Sequence, residues 1–333
     1  MSVNKKIIET EAAVPREKFN IVLYTGNGGT QSITGVGFQP DFVWIKGRTF
    51  TVIHGAYDST RGATKYITPT LNIAEGTYST VLNAFGTDGF TVGSNGGVNA
   101  SGEDFVAWCW RANGGSTSNN NVGLVTSVVQ TNSAAGFSIV KYPGSGGHMN
   151  VGHGLSIAPE LMIIKNLSQA DDWAVYHSAL GATKSLKLND TGAALTDSNG
   201  ISGIFGGTSP NSSVFRVGAD HRTGANGENY IAYCFYSVAG FSKIGTYTGT
   251  GSAGNAQTIG FQPDFIILKR YNLTDNWVII DSVRGEDEYL LADTDGNEQS
   301  LDILDITSTG WTFKGGSMNN SSDSFIYIAF KIS

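Results

Sequence analysis

One stretch of the sequence occurs three times, and this repetition constrains the fold more than any other feature. Residues 37–46 read GFQPDFVWIK, residues 260–269 read GFQPDFIILK, and residues 154–165 carry the more divergent copy GLSIAPELMIIK. Proline fixes φ and has no N–H to donate, so it belongs just before a strand. The apolar run after each proline predicts a strand that is covered on both faces. We therefore expect three copies of one unit.

Other strands recur around this element in a fixed order. Each unit opens with a strand that ends in a glycine-rich turn, where glycine supplies a positive φ. Each unit closes with a long aromatic strand, and we expect the first and last strands to pair. The opening strands are predicted at 19–24, 137–142 and 241–247, and the closing strands at 105–110, 230–235 and 325–330. A further strand is predicted at 51–54, 173–176 and 277–280.

The composition agrees with a fold of short strands and tight turns. The chain has 333 residues with 44 glycines, and only 15% of its residues are charged. Long helices would need runs of Ala, Leu, Glu and Lys instead. Two-layered sandwiches with inward-facing aromatic residues suit such a chain. We therefore predict an all-β fold of three tandem antiparallel β-sandwich (jelly-roll-like) domains.

The repeat boundaries predict five segments. They are an N-terminal docking leader (1–18), a first β-sandwich repeat (19–112), a linker with an edge strand (113–135), a second repeat (136–238) and a third repeat (239–333). The linker is rich in Gly, Ser and Asn, and its strand-like run at 122–129 is expected to join the edge of one sandwich.

The leader is the segment that we expect to dock on a partner. It is polar and charged apart from a small apolar group that includes Ile7, Ile8 and Val14. By composition it resembles a mobile tail, which is the alternative interpretation.

Charge and hydropathy exclude several classes of partner. The net charge is −7 and there is no basic cluster, which argues against a nucleic-acid partner. No apolar run approaches the ~18 residues of a membrane helix, and residues 1–18 lack the apolar core of a secretory signal. Cys109 and Cys234 occupy the same position of two different repeats, so we expect buried free thiols rather than a disulfide.

Two charged pairs recur at equivalent positions, Asp58 with Arg61 and Asp281 with Arg284. One interpretation is a ligand-binding pair that contacts a sugar or a carboxylate. The alternative is a salt bridge that holds the corner after a strand. The middle repeat lacks the pair, which puts a ligand site common to all three units in doubt.

No residue pattern predicts catalysis, a metal site or a cofactor. The acids are scattered through turns, whereas glycoside hydrolysis needs two acids facing each other across a cleft. His148 and His153 are five residues apart and have no evident third ligand. Residues 293–298 resemble half of a calcium loop, but a hairpin turn explains them without an ion. The six tryptophans are interpreted as core residues, with an aromatic binding platform as the alternative.

Several of these motifs follow one another in a single order that points to a family. They are GFQPDFVWIK at 37–46, DSTRG at 58–62, DGF at 88–90 and VAWCW at 106–110, with further similar stretches at 126–142 and 151–155. The set resembles an uncharacterised domain common in tailed-phage genomes, especially those of marine and cyanobacterial phages. The resemblance covers about residues 19–333. It implies a virion protein, often tail-fibre-like, without a transferable catalytic residue.

The expected function is therefore that of a non-enzymatic phage virion protein, assembled in the host cytoplasm and located in the particle. A tail fibre or similar appendage would contact host surface glycans through variable loops, and the leader would bind other virion proteins. We expect a homo-oligomer, with a trimer favoured because several weak sites gain avidity. The alternatives are a capsid or tail decoration protein with no receptor role and a glycan-degrading enzyme.

Overall fold

The computed structural model describes residues 17–197 and 203–333. The predicted all-β class is confirmed, because these residues form 28 strands with one four-residue α-helix and one three-residue 3-10 helix. The predicted docking residues Ile7, Ile8 and Val14 lie outside the described residues. No helix in the described part of the chain is long and apolar enough to cross a membrane.

The strands fall into three groups along the chain. The first unit contains β1 (Phe19–Thr25), β2 (Gln31–Thr34), β3 (Phe42–Gly47), β4 (Gly55–Asp58), β5 (Lys65–Tyr66), β6 (Gly76–Thr77), β7 (Leu82–Gly86), β8 (Gly89–Val92), α1 (Gly96–Asn99) and β9 (Asp104–Trp110). The second contains β10 (Ser118–Asn120), β11 (Ser127–Asn132), β12 (Phe137–Pro143), β13 (Met149–Gly152), β14 (Leu161–Asn166), β15 (Ala174–His177), β16 (Lys184–Lys187), β17 (Leu195–Thr196), β18 (Val214–Val217) and β19 (Asn229–Phe235). The third contains β20 (Ser242–Thr248), β21 (Asn255–Thr258), β22 (Phe265–Arg270), β23 (Trp277–Asp281), β24 (Gly285–Leu291), β25 (Gln299–Ser300), β26 (Leu304–Thr307), β27 (Gly310–Phe313), the 3-10 helix Ser317–Asn319 and β28 (Ser324–Phe330).

Each unit packs a large sheet against a small one. The large sheets have the orders β1-β9-β3-β4, β10-β11-β12-β19-β14-β15-β16-β17 and β20-β28-β22-β23-β24-β25. The small sheets have the orders β2-β8-β7, β13-β18 and β21-β27-β26, and β5 pairs with β6 in a separate hairpin. The predicted pairing of first and last strands is confirmed, because β1, β12 and β20 lie antiparallel to β9, β19 and β28.

The strand that follows the recurrent proline is covered on both faces, as predicted. In β3, Val43 and Ile45 face the small sheet of their own unit. Phe42 and Trp44 alternate with them and face a second hydrophobic cluster, called the central cluster below. Side chains of a strand point alternately to opposite faces, so a strand between two apolar layers needs an unbroken apolar run.

The central cluster is shared by the large sheets of all three units. Its aromatic members include Phe19, Trp108 and Trp110 of the first unit, Phe137, Tyr233 and Phe235 of the second, and Phe265 and Phe330 of the third. The ring centroids of Phe19 and Phe265 are 5.5 Å apart, and those of Phe235 and Phe330 are 5.7 Å apart. The units therefore meet at a common centre, and their division into separate domains stays a prediction.

The acid of the recurrent motif ties the end of each closing strand. The backbone N–H of Asp41 donates to Trp110 O at 2.8 Å, and the Asp41 carboxylate accepts from Ala112 N at 2.7 Å. Glu160 and Asp264 make the same pair of contacts in the other two units. The motif thus joins the strand after the proline to its neighbour in the large sheet.

One predicted strand is wrong by several residues in the first unit. Residues 51–54 form no strand, and β4 begins only at Gly55. The ladder places Asp58 opposite Phe42, just as Asp281 lies opposite Phe265. His54 therefore occupies the position of Trp173 and Trp277, and a sequence comparison guided by tryptophan misses this match.

The linker contributes to the second unit, but its strands differ in extent from the predicted run. β11 begins at Ser127 and pairs with β12, and the short β10 lies outside it at the sheet edge. Val122 and Leu124 are exposed and belong to neither strand. Both predicted thiols, Cys109 and Cys234, are buried and free.

Candidate functional site

The first predicted ligand-binding pair lies in the interior. Asp58 is fully buried, and its carboxylate accepts from the backbone N–H and the Nε of Arg61. The remaining guanidinium nitrogens donate to Glu75 Oε2 at 3.2 Å and to Ala56 O at 3.2 Å. A buried charge needs partners of this kind, since it is costly when left unpaired.

The second pair repeats this arrangement in the third unit. Arg284 donates from Nε to Asp281 Oδ2 at 2.6 Å and from Nη1 to Glu298 Oε2 at 2.9 Å. Glu298 also accepts a bidentate pair of bonds from Arg48 of the first unit, from Nε to Oε2 at 3.0 Å and from Nη2 to Oε1 at 2.7 Å. Each pair is therefore part of an acid–arginine–acid cluster.

Each cluster also contacts a neighbouring unit. Tyr233 of the second unit donates its hydroxyl to Asp58 Oδ2 at 2.7 Å. Trp108 of the first unit donates from Nε1 to Asp281 Oδ2 at 3.0 Å. Burial, with the Asp58 carboxylate next in effect, raises the pKa of Tyr233 well above 10, so the hydroxyl keeps its proton. A solute does not reach either pair unless an interface opens.

The third interface lacks both the acceptor and the donor. His177 and Leu180 stand where the other units have aspartate and arginine, and Ala194 stands in place of the second acid. On the facing strand, Ile328 occupies the position of Trp108 and Tyr233. The absence of the pair from the middle repeat thus coincides with the absence of a side chain that could donate to it.

Three equivalent lysines close the contacts into a ring. Lys46 of the first unit donates from Nζ to Asp295 O of the third at 3.2 Å. Lys165 of the second donates to Asn72 O of the first at 3.3 Å, and Lys269 of the third donates to a carbonyl of the second at 2.7 Å. All three are buried, and burial lowers the pKa of each to about 8.

The remaining sequence candidates lie in structural positions. Within residues 17–197 and 203–333, no group of three or more His, Cys, Asp or Glu side chains is arranged to hold a metal ion. His153 is buried, and its Nε2 lies 3.0 Å from Asn211 O. Residues 293–298 form the turn region between β24 and β25, where Glu298 is already paired with arginine. The six tryptophans are buried, which confirms the prediction of core positions.

A surface cleft lies in the first unit and has a volume of about 270 Å³. Tyr57, Tyr66 and Tyr78 form its aromatic wall. Neighbouring rings are in contact, since the centroids of Tyr57 and Tyr66, and those of Tyr66 and Tyr78, are 6.0 Å apart. The other lining residues are Ile53, Gly55, Ile73, Val81, Asn95 and Gly97.

The hydroxyl of Tyr57 is the least satisfied polar group of this cleft. Tyr57 is only 1% exposed, and its Oη is buried with no hydrogen-bond partner among the described residues. It lies beside Gly55, where an added Cβ would come within 2.7 Å of Oη. Burial, with Tyr66 next in effect, raises the pKa of Tyr57 well above 10. The hydroxyl is therefore neutral and can both donate and accept.

A hairpin positions the other two tyrosines. Tyr66 pairs with Gly76 between β5 and β6, and Tyr78 N donates to Thr64 O at 2.9 Å. Thr64 has a φ of 71°, which is unfavourable for a β-branched residue. Tyr78 is 51% exposed and forms the outer end of the wall. Backbone strain of this kind occurs preferentially at functional sites.

The second unit holds the cleft loop in place. Trp173 Nε1 donates to Thr68 O at 2.8 Å, and Glu75 N donates to Leu167 O at 3.1 Å. The bond from Lys165 to Asn72 O lies between these two points. Three anchors over residues 68–75 leave little freedom for the loop backbone, so the loop side of the cleft is formed before a ligand arrives, while Tyr57 Oη is still covered.

The equivalent positions of the other units are filled differently. Tyr176 of the second unit occupies the position of Tyr57, but it packs edge to face against the buried ring of Phe205 at 5.4 Å. Ile280 of the third unit occupies the same position and has no hydroxyl. The combination of three tyrosines is thus specific to the first unit.

The sequence prediction missed Tyr57, Tyr66 and Tyr78. Tyr57 directly precedes the DSTRG motif, and the other two lie in the polar segment at 63–84. Tyr66 recurs as Tyr289 in the third unit, but the second unit has Ser185 at that position. Tyr78 does not recur, so the comparison of repeats did not single out the pair. Only the pairing of β5 with β6 brings them beside Tyr57.

Comparison with known proteins gives one match. A family model described as "Domain of unknown function (DUF7483)" matches residues 14–332. No curated protein matches the chain. No solved structure matches it either.

Proposed function

The chain belongs to the DUF7483 family of domains of unknown function, and from the resemblance of its repeated motifs to a tailed-phage domain we propose that it is a non-enzymatic structural protein of a phage particle. In this proposal it forms part of a tail fibre or similar appendage and contacts host surface glycans. The tyrosine cleft of the first unit is the observation that carries the contact role. The resemblance of the repeated motifs to a tailed-phage domain supports the virion location.

The distribution of polar residues supports a structural role. The recurrent acids and arginines contact one another and the neighbouring units, as in the clusters of Asp58 and Asp281. These side chains are therefore paired within the protein and stabilise the contacts between the units. The cleft, by contrast, opens to the surface through Tyr78 and Ile73, which are 51% and 38% exposed. Because the loop that forms the cleft is already fixed, binding of a ligand immobilises little additional backbone, which favours adhesion.

Attachment and copy number complete the proposal. The leader, with Ile7, Ile8 and Val14, docks the protein on other virion proteins, and several copies, favoured as a trimer, give avidity to weak sites. Residue 17 lies beside the segment that follows the last strand, since Glu17 N donates to Ser333 O at 2.7 Å. The leader therefore joins the body where the last strand finishes, and one face of the body can serve attachment.

Locating the protein on the particle tests the virion part of the proposal. Immunogold labelling and cryo-electron microscopy of the encoding phage are expected to place it on a tail appendage. Its absence from purified particles would overturn the proposal. Labelling of the capsid shell alone would favour the decoration protein without a receptor role.

Competition for adsorption tests the contact part. Purified protein is expected to slow phage adsorption to host cells, and Tyr78→Ala is expected to weaken this effect. Leu273→Ala is the matched control, because Leu273 is 50% exposed, belongs to the third unit and does not line the cleft. Equal competition by all three proteins would contradict a role of the cleft, and no competition by any of them would contradict receptor contact.

A further inference from the structure

We propose that the tyrosine cleft of the first unit binds one neutral pyranose ring, with an apolar face of the sugar on the tyrosine wall and a sugar hydroxyl bonded to Tyr57 Oη after a side-chain rotation that uncovers this buried atom. This inference deepens the proposed glycan contact and rests on it for the source of the sugar.

Charge selects a neutral ligand. The cleft is lined by Tyr57, Tyr66, Tyr78, Asn95 and small or aliphatic residues, and none of the lining residues is charged. An anionic sugar or a phosphate would lose hydration without gaining a counter-charge, which is unfavourable. The volume of about 270 Å³ lies below the ~300–1,000 Å³ of pockets that enclose drug-sized molecules, so a single ring is the suitable size.

The arrangement of the rings favours a ligand that lies against one side of them over a cation that rings must surround. Tyr66 and Tyr78 meet edge to face at 73°, with centroids 6.0 Å apart. Tyr57 and Tyr66 are in contact at the same centroid distance. A quaternary ammonium is bound by aromatic faces that surround it, whereas these rings touch one another and form a continuous wall. Such a wall presents an apolar surface to one side of a ligand.

The unpartnered hydroxyl excludes a purely apolar ligand. A buried hydroxyl without a partner is destabilising, and a ligand that bonds to it removes that cost. Tyr57 Oη is such a group, and the side-chain amide of Asn95 supplies a second polar group in the wall. The Oδ1 of Asn95 accepts from Gly97 N at 2.8 Å, which leaves its NH₂ to donate. A hydrocarbon chain satisfies neither group, whereas a sugar satisfies both while keeping an apolar face.

Binding of defined sugars to the purified full chain tests the inference. The probes are the methyl pyranosides of glucose, galactose, mannose and N-acetylglucosamine, compared with N-acetylneuraminic acid, choline and decanoate. Saturation-transfer NMR and calorimetric titration measure binding. At least one neutral pyranoside is expected to bind, with Tyr78→Ala weakening it about tenfold and Tyr57→Phe about 2- to 10-fold, the worth of one hydrogen bond.

Tyr142→Phe supplies the matched control. Tyr142 is equally buried, but its hydroxyl donates to Thr223 O at 2.9 Å in the second unit. This variant is expected to lose stability and to keep full sugar binding. Tyr57→Phe is expected to do the reverse, because it removes a hydroxyl that bonds to nothing in the free protein.

Several outcomes would overturn the inference. They are the absence of binding by every neutral pyranoside at its highest soluble concentration, tighter binding of N-acetylneuraminic acid, choline or decanoate than of any neutral sugar, and unchanged sugar affinity in Tyr57→Phe. The proposed virion function fails separately, when the protein is absent from particles. If the protein binds a sugar but is absent from the particle, the sugar site is supported and only the virion function is rejected.

Discussion

Replacing Asp293 by asparagine is expected to stabilise the protein at neutral pH. The Oδ1 of Asp293 accepts from Trp277 N at 3.1 Å, whereas Oδ2 is buried and has no hydrogen-bond partner among the described residues. Burial raises the pKa of Asp293 from 3.8 to about 6. At pH 7 the folded chain therefore holds a poorly solvated carboxylate, which the unfolded chain exposes to water.

The pKa gives the size of this cost. A rise from 3.8 to about 6 corresponds to about 3 kcal/mol, at ~1.4 kcal/mol for each pKa unit. Asparagine avoids this cost but gives up the attraction between Asp293 and Lys269, whose pKa reflects that charge. Asp293 is also only partly buried, and exposure to solvent weakens such effects, so the expected gain is about 1–2 kcal/mol.

The second unit shows that an amide suits this position. Asn189 is the equivalent residue, and its Oδ1 accepts from Trp173 N at 2.9 Å. Its Nδ2 donates to Asp172 Oδ1 at 2.9 Å. The third unit has Asn276 at the position of Asp172, and the carbonyl of that side chain can accept the same bond from an introduced asparagine.

Urea unfolding at pH 7 and pH 4 measures the effect. Between pH 4 and pH 6 the folded state binds more protons at Asp293 than the unfolded state does, so its contribution to stability is full near pH 4 and is lost as the pH rises through 6. The advantage of Asp293→Asn is therefore expected at pH 7 and not at pH 4. Asp287→Asn is the control for the change in net charge, because Asp287 is exposed, and it is expected to change stability by less than ~0.5 kcal/mol. Lower stability of Asp293→Asn at pH 7, or an equal gain at both pH values, would refute the reasoning.

Three further predictions concern the interfaces between units. Trp108→Phe is expected to cost about 1–2 kcal/mol more than Trp311→Phe in urea unfolding, because Trp108 Nε1 donates to the buried Asp281 while Trp311 Nε1 has no partner among the described residues. Equal costs would contradict this. His54 is buried and neutral, because burial and then the charge of Lys46 lower its pKa well below 6.5. The free energy of unfolding is therefore expected to fall as the pH drops below ~6.5. His54→Gln should reduce the slope of this fall by up to ~1.4 kcal/mol per pH unit. An unchanged slope would count against it. Lys46 has a pKa of about 8 in the folded chain instead of 10.5, because its buried charge is unfavourable. The free energy of unfolding is therefore expected to rise from pH 8 to 10. An equally steep rise in a Lys46→Met variant would disprove this contribution.

Sequence patterns predicted the elements that repeat but not their partners. The strand after the recurrent proline was identified because β3 is covered on both faces, which requires an unbroken apolar run. The layer that covers its second face could not be identified, since Phe42 meets Tyr233, which belongs to another unit and lies far along the chain. The same holds for Asp58, where the sequence indicates the nearby Arg61 but not the bond from Tyr233.

The candidate site was less predictable than the fold. Tyr66 and Tyr78 come together through the pairing of two short strands, β5 and β6, whose connecting loop bonds to the second unit through Glu75 N and Leu167 O. A comparison of the repeats identifies residues that the units share, whereas this cleft exists because the first unit differs from the others. His54 is a further example, because a histidine replaces tryptophan there and bonds to Leu291 O at 3.0 Å instead.

The ring of interfaces has a genetic consequence, because one polypeptide encodes all three of them. In a homotrimer every substitution would appear three times and would have to suit three identical contacts. Here each contact can change by itself, as shown by Ile328 and His177, which leave one interface without the polar bond that the others make. A fused ring can therefore specialise one unit, such as the first with its open tyrosine wall, while the other two maintain the body that supports it.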